Sequence, residues 1–230
     1  VAQTSGILIE VNARAGLKNQ HKGVPPQDDP MTSQISSSAY LGPDYPHWNT
    51  ILRDGTEVLV RPIGPQDAAA EKAFIESLSP ESRRSRFLGQ IAHPSDALIH
   101  QLTDIDYVND VALVAIAPEG KDDKIVGVSR YAVDASRNSC ECAVVVADAW
   151  QGKGLGTALM ECLKAVASER GLTSMRSVDM AENWEMRKLA TALGFHSTPD
   201  PDDPRQVIHT ISLVGPPTSA KMPVPSETAL

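Results

Sequence analysis

The stretch VVVADAWQGKGLGTALM, Val144 to Met160, constrains this chain more than any other. An apolar, β-branched run meets three alternating glycines and then a helix-forming segment. A glycine-rich turn between strand and helix exposes bare backbone N–H groups where the helix dipole is positive, so it suits an anion, phosphate above all. Spacing decides among the phosphate folds. A nucleotide P-loop requires G-x-x-x-x-G-K-[ST], with lysine after the last glycine. Here Lys153 precedes Gly154 and Thr157 follows Gly156. A dinucleotide fold requires G-x-G-x-x-G within a parallel sheet. Gly152, Gly154 and Gly156 form G-x-G-x-G instead, behind strands that read as antiparallel. Both readings fail on spacing.

The surroundings of the turn fix the fold class. Thr56–Ile63 alternates like a strand and leads into a helix over Asp67–Leu78, with Ala70, Ala73, Phe74 and Leu78 on one face. Ser79 with Pro80 signals a second helix start, and Ser95–Leu102 a third helix. Val111–Ala117, Ile125–Asp134 and Ser139–Ala147 read as strands joined by hairpins at PEGKDD and ASRN. Beyond the glycines, Leu155, Leu159, Leu163 and Val166 form an apolar stripe opposite Thr157, Glu161, Lys164 and Ser168, until Gly171 ends the helix. A strand over Ser174–Asp179, a helix opening near Asn183 with Met186, Leu189, Ala190 and Leu193 on one face, and a strand over Gln206–Leu213 complete the pattern. This is an α/β domain with a mixed, mostly antiparallel sheet and flanking helices. It spans 49–214. Residues 1–48, rich in Ser, Gly, Gln and Pro, read as a mostly disordered linker in which only Gly6–Val11 resembles a strand, and 215–230 reads as a disordered tail.

Composition excludes several function classes. A net charge of −8 and a pI near 5.2 argue against a nucleic-acid surface. The three cysteines, Cys140, Cys142 and Cys162, are odd in number and lack zinc spacing, so reduced structural thiols and no metal are expected. No apolar run approaches the roughly 18 residues of a membrane span, and no signal-peptide pattern is present, so the expected location is the cytoplasm.

What remains for the turn is Q-x-x-G-x-G, QGKGLG from Gln151 to Gly156, preceded by CECAVVV and followed by Asn183 and ALGF. It resembles the pyrophosphate turn of the GNAT superfamily of acyl-CoA-dependent N-acyltransferases. VLVRPIGPQDAAAEKAFIESLSPESRRSRF, LTDIDYVNDVALVAI, IVGVSRY and ENWEMRKLATALGF extend the likeness over about Val58 to Leu213. They are similar to the acyltransferase domain of bacterial Pat-type protein lysine acetyltransferases. GILIEVNARAGL is faintly similar to the terminal strand of the synthetase-like region that many such proteins carry.

The resemblance implies a GNAT fold, acetyl-CoA as co-substrate, and a protein lysine as acceptor; it specifies no oligomeric state. It puts the coenzyme A diphosphate on Gln151, Gly152, Lys153, Gly154, Gly156 and Thr157. The pantetheine arm would run beside the backbone of Val144, Val145 and Val146, and Asn183 would orient it or simply cap a helix. Glu141 matches the family's general base, its alternative being a surface salt bridge. Alternation puts Glu141 on a face with Ala143 and Val145, away from Cys140, Cys142, Val144 and Val146. One departure stands out: the tyrosine that many members place four residues before the glycine of GF is Ala190 here. Trp184 reads as a packing residue. Two other readings stay open: an acetyltransferase of small-molecule amines, and a non-catalytic acyl-CoA sensor.

Overall fold

A computed structural model describes residues 47–87, 93–119 and 122–215. The candidate strand Gly6–Val11, nearly all of the expected linker and the tail beyond Gly215 lie outside the described residues. In chain order the elements are β1 (Trp48–Ile51), β2 (Glu57–Pro62), a 3-10 turn (Pro65–Asp67), α1 (Ala68–Ser77), α2 (Pro80–Phe87), α3 (Asp96–Thr103) and β3 (Asp110–Glu119). Then come β4 (Asp122–Val133), β5 (Ser139–Val146), a second 3-10 turn (Asp148–Trp150), α4 (Leu155–Glu169), β6 (Ser174–Met180), α5 (Trp184–Ala192), β7 (His196–Pro199) and β8 (Gln206–Ser212).

Among the described residues one eight-stranded sheet runs β1-β2-β3-β4-β5-β6-β8-β7, and its only parallel pair is β5 with β6. Both faces of the central strands are covered, which explains why β3 is apolar almost throughout. Val111, Leu113, Ala115 and Ala117 face the cluster built on Leu155, Leu159, Leu163 and Val166 of α4. Ala112 and Val114 face Phe74, Ile75, Ile99 and Leu102 of α1 and α3. Each fully buried Leu, Val or Ile contributes about 1.5–3 kcal/mol, so this double covering holds the middle of the sheet rigid.

The buried stripe of α1 differs from the one expected. Glu71, Phe74, Ile75 and Leu78 are buried while Ala70 and Ala73 are exposed. The helix is turned so that Glu71 meets Arg130 of β4, at 3.8 Å from Glu71 Oε1 to Arg130 Nη2. The two edge strands carry no alternation to betray them. β1 begins at Trp48, the last residue of the expected linker, and pairs Trp48 with Val60. β7 is exposed at all four residues and ends in Pro199, which suits an edge because proline has no N–H to give.

Candidate active site

The parallel pair is short. β5 and β6 are in register only at Ser139↔Ser174, Cys140↔Met175 and Glu141↔Arg176. Beyond that point β6 stays with β8 as far as Met180↔Gln206, and β5 stays with β4 as far as Val146↔Gly127. The sheet therefore splits into a wedge with Glu141 and Arg176 at its vertex. The edge of β5 that looks into the wedge carries main-chain groups that no strand of the described sheet pairs. Ala147 N–H donates to Val126 O on the β4 side, so alternation turns the N–H and C=O of Val144 and Val146 the other way. Gln151 Nε2 donates to Val146 O at 3.2 Å, consistent with that direction. Side chains follow the expected alternation: Val144 and Val146 pack on the α4 cluster and Val145 on the α1–α3 cluster.

At the open end of β5 the chain passes through Asp148–Trp150 into the glycine turn. Gly152 (φ +75°) and Gly154 (φ +93°) occupy the left-handed region, where an L side chain costs about 1–2 kcal/mol. Gly154 is the N-cap of α4, which has neither a side-chain cap nor an acidic residue in its first turn. The first N–H groups of a helix have no partner within it, so the turn offers a positive, donor-rich pole to an anion. Gly156 serves packing: a Cβ there would sit 3.3 Å from Leu189 of α5.

Two contacts with no sequence motif brace this turn. Asp148 accepts from Ser79 N, Ser79 Oγ and Ser82 Oγ, each at 2.8 Å, which fastens the start of α2 to the end of β5. Gln151 Nε2 adds a 3.3 Å bond to Ser82 Oγ. The Ser79–Pro80 helix start is legible in sequence, but its partner lies 69 residues away. On the other side the β1–β2 turn docks, with Arg53 N–H donating to Lys153 O at 3.0 Å and Lys153 Nζ meeting Asp54 Oδ2 at 3.1 Å. Hydrogen bonds from Thr56, then from Lys153, pull the Asp54 carboxyl down to about 2.

The Glu141 side chain is 7% exposed, and its Oε2 lies 3.1 Å from Nη2 of Arg176, whose side chain is 49% exposed. The glutamate is therefore interior and the arginine reaches solvent. Asn183 sits just past β6, on the arm of the wedge opposite the glycine turn, and its Oδ1 caps α5 by accepting from Met186 N at 3.1 Å. Ala190 is wholly buried in the α4–α5 cluster. Trp184 is not a packing residue: it is 54% exposed, with Lys188 Nζ 3.7 Å from its ring centroid. It occupies the first position of α5, while Met186 and Ala190 take the inward ones. The three cysteines are free and buried. Burial pushes the Cys140 and Cys162 thiols up to about 12 and that of Cys142 well above its ordinary value, which keeps them protonated and poor nucleophiles. No helix among the described residues is long and apolar enough to cross a membrane.

Comparison with known proteins agrees with this geometry. Residues 75–195 match the model of the acetyltransferase (GNAT) family. The chain is 47% identical over 177 residues to acetyltransferase PA5475 of Pseudomonas aeruginosa, covering 77% of this chain and 95% of that one. It is 27% identical to acetyltransferase Pat of Mycolicibacterium smegmatis over 144 residues, 62% of this chain and 42% of that protein. Among solved structures it is similar to the GNAT domain of S. lividans PAT, with a TM-score of 0.67 and 29% identity over 74% of this chain and 99% of that one. With the wedge, the glycine turn and the matched family frame in one domain, the chain belongs to the GNAT family and is an acetyl-CoA-dependent acetyltransferase.

Proposed function

We propose that this protein transfers the acetyl group of acetyl-CoA to the side-chain amine of lysines in other proteins, in the cytoplasm, with Glu141 as general base. The observation that carries the reading is the position of Glu141 at the vertex of the β5–β6 wedge, on the face opposite Val144 and Val146. The likeness to Pat proteins in sequence and fold supports a protein acceptor. Three buried, unpaired thiols fit a reducing compartment.

The co-substrate supplies an activated acetyl thioester; the chain's residues do the rest. The turn from Gln151 to Thr157, Lys153 included, holds the diphosphate with its N–H groups and the dipole of α4. Five strand steps lead from Glu141 to Val146, about 17 Å, along which the main chain of Val144–Val146 pairs with the pantetheine arm as a further strand would. The amide of Asn183, whose oxygen caps α5, steadies that arm from the other side. The incoming lysine has a pKa near 10.4, and deprotonating it at neutral pH costs roughly 4–5 kcal/mol. Glu141 removes that proton, directly or through one water, as the nitrogen bonds to the thioester carbon. Arg176 holds the carboxylate in place and, being half exposed, marks the side from which an acceptor arrives. As the C–S bond breaks, the nitrogen releases its remaining extra proton to solvent water, and the departing thiolate takes up a proton from that water, because Ala190 has no acidic hydrogen to give.

The test is acetyl transfer from labelled acetyl-CoA to a folded protein and to a panel of free amines. Incorporation at protein lysines well above the free amines is expected. Selective turnover of one small amine would replace the acceptor, and binding without transfer would make the domain a sensor.

A further inference from the structure

Arg53 lies in the β1–β2 turn, before the stretch 75–195 that matches the family model. Its arm crosses the cap of α4: a Cβ on Gly154 would be 3.4 Å from both Cγ and Nε of Arg53. The crossing is fastened by the backbone bond from Arg53 N–H to Lys153 O and by the Lys153–Asp54 ion pair. Charge divides unequally between the two cations. Lys153, inside the glycine turn, already has a carboxylate at 3.1 Å and lies 4.8 Å from the Trp150 ring centroid. Arg53 is exposed and joins no ion pair among the described residues. The hairpin thus brings to the positive pole of α4 a guanidinium that no carboxylate among the described residues pairs.

We propose that Arg53 is a phosphate clamp of the acetyl-CoA site, its guanidinium donating to a phosphate of the nucleotide half of the co-substrate. This rests on the glycine turn being the cofactor's diphosphate site. A guanidinium presents paired donors that match two phosphate oxygens at once, and it stays charged at any working pH. A lysine in its place keeps the charge and loses the fork. The β1–β2 turn then belongs to the cofactor site, and the Arg53–Lys153 backbone bond is what holds the clamp over the helix pole.

Calorimetry on the full chain tests it, with wild type, R53Q and R53K titrated with acetyl-CoA and with acetyl-dephospho-CoA, which lacks the 3′-phosphate, at low and physiological salt. Arg53 is exposed, so all three proteins should melt alike. R53Q should lose about tenfold in acetyl-CoA affinity, and R53K should recover part of it. Wild-type affinity should fall more steeply with salt than that of R53Q, because a contact between exposed charges is screened. If the R53Q loss persists with acetyl-dephospho-CoA, the diphosphate is the group held; if it vanishes, the 3′-phosphate is. R53Q binding within about twofold of wild type, or a tenfold loss with an unchanged salt slope, overturns the clamp. Failure of wild type to bind acetyl-CoA at all would instead remove the turn from the cofactor site.

Discussion

Two glutamate–arginine pairs lie on the same face of the sheet, in different surroundings. Glu71 and Arg130 are joined at 3.8 Å between α1 and β4, with side chains 4% and 7% exposed, and Arg130 Nη2 also donates to Leu102 O at 3.2 Å. Glu141 and Arg176 are joined at 3.1 Å across β5 and β6, with side chains 7% and 49% exposed. The carboxylates are equally buried; the arginines are not. At the first pair the sheet is continuous and helices cover it, so neither partner meets solvent. At the second the strands part, and the arginine leads outward. A buried carboxylate with one open flank lies within reach of an arriving group, which the role proposed for Glu141 requires, whereas a sealed one can only hold its partner.

The largest expected effect falls on the open pair. Glu141→Gln keeps shape and hydrogen bonding but loses the basic form, so kcat should fall about 10²–10⁴-fold while acetyl-CoA affinity changes little. Its unfolding free energy should move by no more than about 1 kcal/mol, because Arg176 is left in contact with water. Steady-state kinetics beside urea denaturation measure both, and a mutant within about threefold of wild-type turnover would make Glu141 a structural ion pair like Glu71.

Glu71→Gln should behave in the opposite way. Removing one partner of a sealed pair leaves the buried Arg130 with Asp110 as its remaining carboxylate neighbour and costs about 3–5 kcal/mol of stability. Turnover of the fraction that stays folded should be nearly unchanged. Glu71→Leu combined with Arg130→Met should recover much of that loss, since an apolar pair of similar volume needs no compensation. If the double mutant is worse than Glu71→Gln, the sealed pair contributes more than mutual neutralisation.

Gly154→Val tests the far end of the wedge. A branched side chain at φ +93° is strained by about 1–2 kcal/mol and would press on Arg53. Acetyl-CoA binding should be lost by calorimetry while the mutant still unfolds cooperatively. Unchanged affinity would detach the glycines from the co-substrate.

The smallest effect concerns a third sealed group. His209 is 1% exposed, with its Nδ1 2.7 Å from Ser197 Oγ, and burial, then the charge of Arg187, hold its pKa below the ordinary value. The unfolded chain therefore takes up a proton near pH 6.5 that the folded chain refuses. That contribution to stability is complete above pH 6.5 and is lost as the pH falls toward the folded pKa. Wild type should weaken from pH 7 to pH 5 more than His209→Gln does, as read by melting temperature across that range. Equal slopes would move the acid sensitivity to other groups.

The elements with a period were legible in the sequence. The stripe Leu155, Leu159, Leu163 and Val166 is fully buried, and the strands ending at Val133 and Val146 lie close to where alternation and hairpin residues put them. The edge strands β1 and β7 were not, since a strand that pairs on only one side among the described residues needs no pattern. The stripe of α1 misled because a buried charge reads as an exposed one until its partner is known.

The site divides along the same line. Alone, the sequence determined the glycine turn, the helix behind it and the face shared by Glu141 and Val145, because each depends on neighbours a few residues apart whose backbone angles or alternation fix the outcome. Only the tertiary structure decided that β5 and β6 part just after Glu141, that Asp148 ties α2 to the turn, and that the turn carrying Arg53 lies on Gly154. Those are contacts between segments far apart in the chain. Their existence depends on how helices on both faces and the register of the sheet bring the segments together, and no local preference encodes that.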